Sequence, residues 1–402
     1  MADGLHVVIV PSWWPSPERP LHGVFFPDFA RAMAEAGVRV GVVTPDLVGA
    51  RFWRETSARW RARVEWENAG NVPVVRVRGR HTSLGQTGIH LRAYRRRLEM
   101  GLAAYAERNG SPDLLHAMAA LPAGWACTHL HHSLAARVLI TEHTGPFALL
   151  LRPSGAANMT RSALARAAAA VAVSANLKTE MQAAGVTRPI EIVGNLVADV
   201  FQPSAPPKPP RANETQIRFR VVFVGRLTAE KGLRELAAAA HRLAKQPEPR
   251  FAWHFVGTGP MEGELRAAMA KLGVDTVFHG YQDSAGVASI LRACHALVLP
   301  SYGENYPMAI CEALASGRPV VTTDVPGCAA LVGPGDGLVV PVRNAAALAD
   351  ALQRCAADYA QWDWRAIGAR ARERFSRTKV AKNYISIYNA VRAGQAPGDA
   401  SR

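Results

Sequence analysis

The pattern that most constrains this chain is an alternation of short, almost continuously apolar runs with longer amphipathic stretches, interrupted once by proline. The runs LHVVIV (5–10), VRVGVV (38–43), DLLHAM (113–118), RVLIT (137–141) and AVAVS (170–174) suit parallel strands buried on both faces. Helices fit between them at 25–36, 89–108, 123–133 and 175–184. The segment PSAPPKPPRANET (203–215) is polar and proline-rich and reads as a semi-rigid linker. The alternation then restarts with RVVFVG (220–225), FAWHFVG (251–257), VFHG (277–280), HALVLP (295–300), PVVTT (319–323) and GLVVP (337–341). Helices fit here at 232–244, 260–272, 284–293 and 306–316.

The predicted class is therefore α/β, with two doubly wound, Rossmann-like domains at 1–200 and 217–376 joined by a linker at 201–216. A last amphipathic stretch, 377–394, either closes the second domain or crosses back to the first, and 395–402 is a tail. Open α/β sheets bind ligands at the carboxyl ends of their strands, so two such sheets are expected to face one another across a cleft. A length of 402 residues exceeds what one core usually serves, which agrees with two domains.

The start, MADGLHVVIVPSWWP, lacks a basic leader and a small-residue cleavage site and reads as a first strand. No apolar run approaches the roughly 20 residues that span a bilayer. The five cysteines (127, 294, 311, 328 and 355) are scattered and odd in number, which favours reduced thiols. A cytoplasmic location is expected. The net charge of +15 attracts anions, among them nucleic acid, acidic lipid headgroups and diphosphates, and charge alone does not choose among them.

The segment SYGENYPMAICEALASGRPVV (301–321) carries the densest chemistry. It follows an apolar strand, and Pro307 suits the first turn of a helix. Glu304 then lies in the loop before that helix and Glu312 inside it. Amides near 305–308 sit at the positive end of the helix dipole, a place for phosphate or sugar hydroxyls, and two carboxylates beside them suit vicinal diols. The segment FVGRLTAEKG (223–232) places Arg226 and Lys231 between a strand and a helix, where a forked donor and an ammonium can neutralise a diphosphate.

With these residues in view, the chain resembles the family-4 retaining glycosyltransferases of GT-B fold over residues 5 to 392. Glu304 to Glu312 matches that family's E-x7-E motif, and GRLTAEKG its G-R-x4-K-G segment. HFVGTGPMEGELR (254–266), VSANLKTEM (173–181) and PLHGVFFPDFARAMAEAGVRVGVVT (20–44) are similar to further family segments. The resemblance implies transfer of a sugar from a nucleotide-diphosphate sugar, such as a UDP- or GDP-sugar, with retention of configuration. The acceptor would be a glycan, a glycolipid or a small molecule bound by the N-terminal domain, and no nucleic acid would be involved. It assigns Arg226 and Lys231 to the donor diphosphate, Glu312 to the ribose, and Glu304 with the amides of Asn305 and Tyr306, beside Pro307, to the sugar. Gly23 would approach the diphosphate, and Gly225, Gly257 and Gly259 would line the nucleotide pocket. His143, in ITEHTGP, is the match to a histidine that touches the transferred sugar. No cofactor and no metal are implied, since Arg226 and Lys231 would take the place of a cation. The usual N-G-V-D before the linker reads NLVAD (195–199), without its glycine.

Two alternatives share this architecture, a nucleotide-sugar epimerase and a catalytically silent partner subunit or lectin-like module. The match to E-x7-E with G-R-x4-K-G favours transfer over epimerisation, and retention of all four donor-site charges argues against a silent subunit. THLHH (128–132) places His129 and His132 on one face of a solvated helix, without acidic or cysteine partners for a metal. RFWRETSARWRARVEW (51–66) reads as a helix with Trp53, Trp60 and Val64 on one stripe among arginines. With a second basic cluster at 92–97 (Arg92, Arg95, Arg96, Arg97), it suggests contact with an anionic membrane and a peripheral position on its inner face.

Overall fold

The computed structural model describes residues 4–19, 22–49, 62–81, 88–132, 136–151, 154–208, 218–246 and 249–395. It divides into two compact units, residues 1–194 with 377–402, and residues 195–376.

The first unit is built on an eight-stranded sheet. Its strands are β1 (His6–Pro11), β2 (Arg39–Gly49), β3 (Arg63–Ala69), β4 (Val72–His81), β5 (Leu114–Met118), β6 (Arg137–Glu142), β7 (Ala169–Ala172) and β8 (Ile190–Ile192), ordered β3-β4-β2-β1-β5-β6-β7-β8. All neighbours pair in parallel except β3, which lies antiparallel on β4. β1 and β5 are buried along their whole length, as the continuous apolar runs require.

The β3–β4 hairpin corrects the helical reading of 51–66 where it is described: Arg63, Val64 and Trp66 lie on a half-exposed edge strand. Its register pairs Trp66 with Val75 and Val64 with Val77, and the Arg108 guanidinium covers the Trp66 ring at 4.3 Å. Trp53 and Trp60 lie outside the described residues.

The helix Arg377–Ala393 belongs to the first unit. Its buried tyrosines explain why. Tyr388 hydroxyl hydrogen-bonds with His116 Nδ1 at 2.7 Å, and Tyr384 hydroxyl with Thr141 at 3.2 Å, both beneath the sheet. Arg377 adds an ion pair to Glu35 at 3.0 Å.

The second unit has a six-stranded, all-parallel sheet. Its strands are β9 (Phe219–Val224), β10 (Phe251–Val256), β11 (Asp275–Gly280), β12 (Ala296–Leu299), β13 (Val320–Thr323) and β14 (Gly337–Val340), ordered β11-β10-β9-β12-β13-β14. Helices start where the sequence offers a cap: Asp283 accepts from the Gly286 amide, Asn344 from Ala347 and Asp363 from Ala366.

The unit begins at Asn195, ahead of the expected boundary near 200, and residues expected as linker are also packed in it. Val197 and Phe201 are in its core, and the Val197 amide donates to Phe375 O at 2.9 Å without the missing glycine. Arg318, with no exposed surface, donates to Ser204 O at 2.9 Å, Ser204 Oγ at 2.8 Å, Leu291 O at 3.0 Å and Arg292 O at 3.2 Å. His295 Nε2 reaches Lys208 O at 3.1 Å. A buried acceptor stripped of its donor costs about 1–3 kcal/mol. Arg318→Met is therefore expected to lower the unfolding free energy of this unit by roughly 3 kcal/mol, read as a fall in denaturant midpoint. An unchanged midpoint would mean that the 201–208 segment is not anchored there.

Candidate functional site

In the second unit, the sequence-predicted residues gather at the carboxyl ends of β9, β10 and β12. The loop after β9 carries Gly225 and Arg226, and the loop after β10 carries Gly257 and Gly259. They are joined backbone to backbone: the Gly225 amide donates to Val256 O at 3.0 Å, Leu227 to Thr258 O at 2.9 Å, and Met261 to Leu227 O at 2.9 Å. Gly257 has φ +123°, and a Cβ there would lie 2.0 Å from Gly225 O. Only glycine allows that approach.

Lys231 ends the short turn Ala229–Lys231, just before the helix Leu233–Leu243. Its Nζ lies 2.5 Å from Glu304 Oε1, which also accepts from Ser301 Oγ at 2.8 Å. The two side chains are 17% and 12% exposed, so the pair is partly withdrawn from water. Ser301 is held in turn, its carbonyl accepting from Thr323 Oγ1 at 2.6 Å. Gly327 backs the Glu304 loop so closely that a Cβ would fall 2.0 Å from Glu304 O.

Arg226 behaves differently. Its side chain is 75% exposed and its ion pair is with Glu230, at 3.2 Å. The Thr228 hydroxyl, donating at 2.7 Å, is the main cause that holds the Glu230 carboxyl below its usual range, with Arg226 and Lys231 adding to it. Glu230 thus links the two cations of the segment.

Pro307 is the N-cap of the helix Met308–Ala315 rather than a residue of its first turn, because its ψ of 108° is extended. Glu312 lies within that helix and is partly buried. Tyr306 packs its ring on the core of the unit, edge-on to Phe375 at 6.3 Å, and Asn305 and Tyr306 lie just before the helix start.

In the first unit, Gly23 precedes the helix Phe25–Glu35, its carbonyl accepting from the Phe26 amide at 3.0 Å. His143 follows β6 and packs on two rings of that helix, Phe25 at 5.3 Å and Phe26 at 5.5 Å. Burial lowers its pKa to about 3. Beside it, Glu142 has no exposed surface. Its carboxyl accepts from the backbone amides of Ala120 at 2.8 Å, His143 at 2.9 Å and Thr144 at 2.7 Å. Burial pushes its pKa up and the three amides pull it back. Glu142 thereby ties the loop after β5 to the loop after β6.

Two family models match the chain, "Glycosyltransferase Family 4" over residues 23–201 and "Glycosyl transferases group 1" over residues 218–358. The chain belongs to the GT-B glycosyltransferases. The protein named as teichuronic acid biosynthesis glycosyltransferase TuaC, of Bacillus subtilis, is 29% identical over 87% of this chain and 89% of its own length. Glycogen synthase of Mycobacterium tuberculosis is 31% identical, over 44% of this chain and 43% of its own length. Among solved structures, sucrose-phosphate synthase of Thermosynechococcus elongatus aligns with a TM-score of 0.73 at 20% identity, covering 97% of this chain and 100% of that one. HepE of Anabaena, in complex with UDP and glucose, aligns at 0.67 with 16% identity, over 96% and 100%.

Other expectations for this glycosyltransferase need correction. The helix expected at 123–133 shortens to Trp125–Thr128, because the His129 ring donates to Trp125 O at 2.8 Å and stacks on the Trp125 ring. His129 is therefore held against Trp125 and, at 3.2 Å, Ser162, rather than solvated on a helix face with His132. Within the 92–97 segment, Arg95 reaches His129 O at 3.2 Å and Glu99 at 3.5 Å. Among the described residues, no helix is long and apolar enough to cross a membrane. A cavity of about 250 Å³ opens at the opposite, amino ends of β9 to β11, between Arg218, Trp253 and Asp275, away from these motifs.

Sequence reading passed over Glu142, Glu230, Ser301 and Gly327, since single residues of these types in loops carry no spacing signal. His143 yields a pH test. Its folded pKa lies below the ordinary 6.5, so the unfolded chain takes up that proton first as pH falls. The stability contributed by the neutral ring is present above pH 6.5 and lost toward pH 3. The unfolding free energy of the native protein minus that of His143→Gln is expected to shrink across this window. A difference independent of pH would contradict the burial.

Proposed function

We propose that this glycosyltransferase moves a sugar from a nucleotide-diphosphate donor to an acceptor hydroxyl with retention of anomeric configuration, in the assembly of a polysaccharide or glycoconjugate. The observation that carries the reading is the Lys231–Glu304 pair at the carboxyl edge of the second sheet. An ammonium and a carboxylate in contact, beside the start of a helix, supply what a glycosyl diphosphate presents: phosphate oxygens for Lys231 and sugar hydroxyls for Glu304. Arg226, exposed on the neighbouring loop, adds a second cation for the leaving diphosphate. Glu312 is assigned to the ribose and the amides of Asn305 and Tyr306 to the sugar. The name of the Bacillus relative and the UDP and glucose of the Anabaena neighbour agree with this reading.

In this mechanism the leaving phosphate accepts the acceptor's proton, and the protein supplies positive charge and fixed geometry. No side-chain nucleophile is invoked, and the cations do the work of a metal.

The test is a panel of UDP- and GDP-sugars, followed by release of nucleoside diphosphate. Glu304→Ala and Lys231→Ala are each expected to lose about 10²–10³ in rate. Native-like turnover in either variant would remove that residue from the site, and an altered sugar on an intact donor would identify an epimerase instead. Turnover is expected to survive EDTA; complete loss restored by Mg²⁺ would overturn the metal-independent reading.

A further inference from the structure

A cavity of about 290 Å³ lies within the first unit, at the carboxyl end of β1 and beside the part of β2 that runs on past it. That volume is at the lower end for small-molecule pockets and suits a single small ring. Trp13, Trp14, Arg19, His22, Asp46 and Arg76 line it. None of these residues has a part in the donor site described above.

The tryptophan segment is anchored at both ends. The Ser12 amide donates to Met118 O at 3.2 Å and its hydroxyl to Leu121 O at 3.1 Å. Ser16 and Arg19 exchange backbone hydrogen bonds at 3.3 and 3.0 Å. Between these anchors, both tryptophans are half-buried and leave part of their surface at the cavity. Partly exposed indoles on a fixed backbone offer flat apolar area at small entropic cost.

The polar wall is centred on Asp46, which is 6% exposed. Arg19 donates to its Oδ1 at 2.7 Å, while Arg76 and Arg78 approach its Oδ2 at 3.4 Å each. Behind it, Arg76 also binds Glu67 at 2.6 Å and Arg78 binds Glu18 at 3.0 Å. Three guanidiniums, Arg19, Arg76 and Arg78, therefore face the carboxylates of Asp46, Glu67, Glu18 and, at 3.9 Å, Glu65, so Asp46 is held in position and no guanidinium of this cluster is left without a carboxylate. A carboxylate has about four acceptor positions and a guanidinium five donors, so the pair can also engage neighbouring hydroxyls.

We propose that this cavity is the acceptor subsite of the enzyme and takes a neutral sugar ring, with its apolar face on the indoles and its hydroxyls on Asp46 and Arg19. The charge balance decides the class: an anionic sugar would displace a carboxylate from each arginine it engaged, whereas hydroxyls leave the ion pairs in place. Aromatic surface beside a fixed carboxylate matches a pyranose, which presents C–H on one face and hydroxyls at its edge. The assignment as acceptor rests on the transferase reading; the binding of a neutral sugar stands apart from it.

Tryptophan fluorescence and saturation-transfer NMR on the full chain test this, with methyl glucoside, methyl galactoside and methyl mannoside as neutral probes. Glucuronate and glucose 1-phosphate serve as anionic ones. At least one neutral glycoside is expected to bind, with affinity reduced tenfold or more in Trp13→Ala, Trp14→Ala or the double variant. UDP or GDP binding is expected to stay within twofold of the native protein in each, which also reports that the variants are folded. Asp46→Asn is expected to weaken the glycoside likewise. Binding of the anionic probes alone, no binding of any neutral glycoside, or binding indifferent to both tryptophans would each overturn the proposal. Donor turnover that fails across the whole panel, with glycoside binding intact, would count against the transferase reading and not against the sugar site.

Discussion

Burial of parallel strands on both faces is the constraint on which everything else in this protein depends. Strands such as β1, β5 and β12 are wholly buried, so the few polar side chains on them, His6 and His116, are engaged in internal hydrogen bonds. Charge therefore collects where the strands stop and the chain turns into a loop or a helix. In the second unit that edge holds Lys231 and Glu304, and in the first Glu142 with His143; Asp46, Arg76 and Arg78 lie instead on the paired strands β2 and β4. The same physics that covers the sheets places these charged groups.

In the second unit, close backbone approaches bring the loops of that edge together. Gly257 against Gly225 O and Gly327 against Glu304 O are approaches that any side chain would block. Ser301 and Thr323 then fix the Glu304 loop through their own hydrogen bonds. Lys231 consequently meets a carboxylate whose loop is fixed from the ends of β12 and β13. Catalysis by electrostatic stabilisation needs such preorganisation, because a charge that must first be moved into position gives up much of its advantage.

Much of the architecture was legible because parallel strands and amphipathic helices leave distinct periodicities. The runs at 5–10, 113–118 and 251–257 fall on β1, β5 and β10 nearly residue for residue, and the helix expected at 284–293 is Ser284–Ala293. The β3–β4 hairpin was not legible. An edge strand such as β3 is half-exposed, and its mixed pattern RVEWENA is compatible with a helix until the pairing partner is known. The same limit applied to residues 201–208, whose prolines suggested a linker although Arg318 and His295 bind that segment to the second unit.

The sequence alone determined the α/β class, the two runs of strands and the candidate residues that gather at the carboxyl edge of the second sheet, because strand periodicity and motif spacing are local properties. Tertiary structure decided which groups meet. Lys231 and Glu304 lie far apart in the chain, and only the adjacency of β9 and β12 brings their ends together. Asp46 likewise gains its partners from the β2–β4 pairing, which sets Arg76 and Arg78 beside it. The C-terminal helix was assigned to the first unit by two buried tyrosine hydroxyls that bond to His116 and Thr141. Such long-range pairings depend on strand order, and an amphipathic pattern records that a face is buried without recording against what.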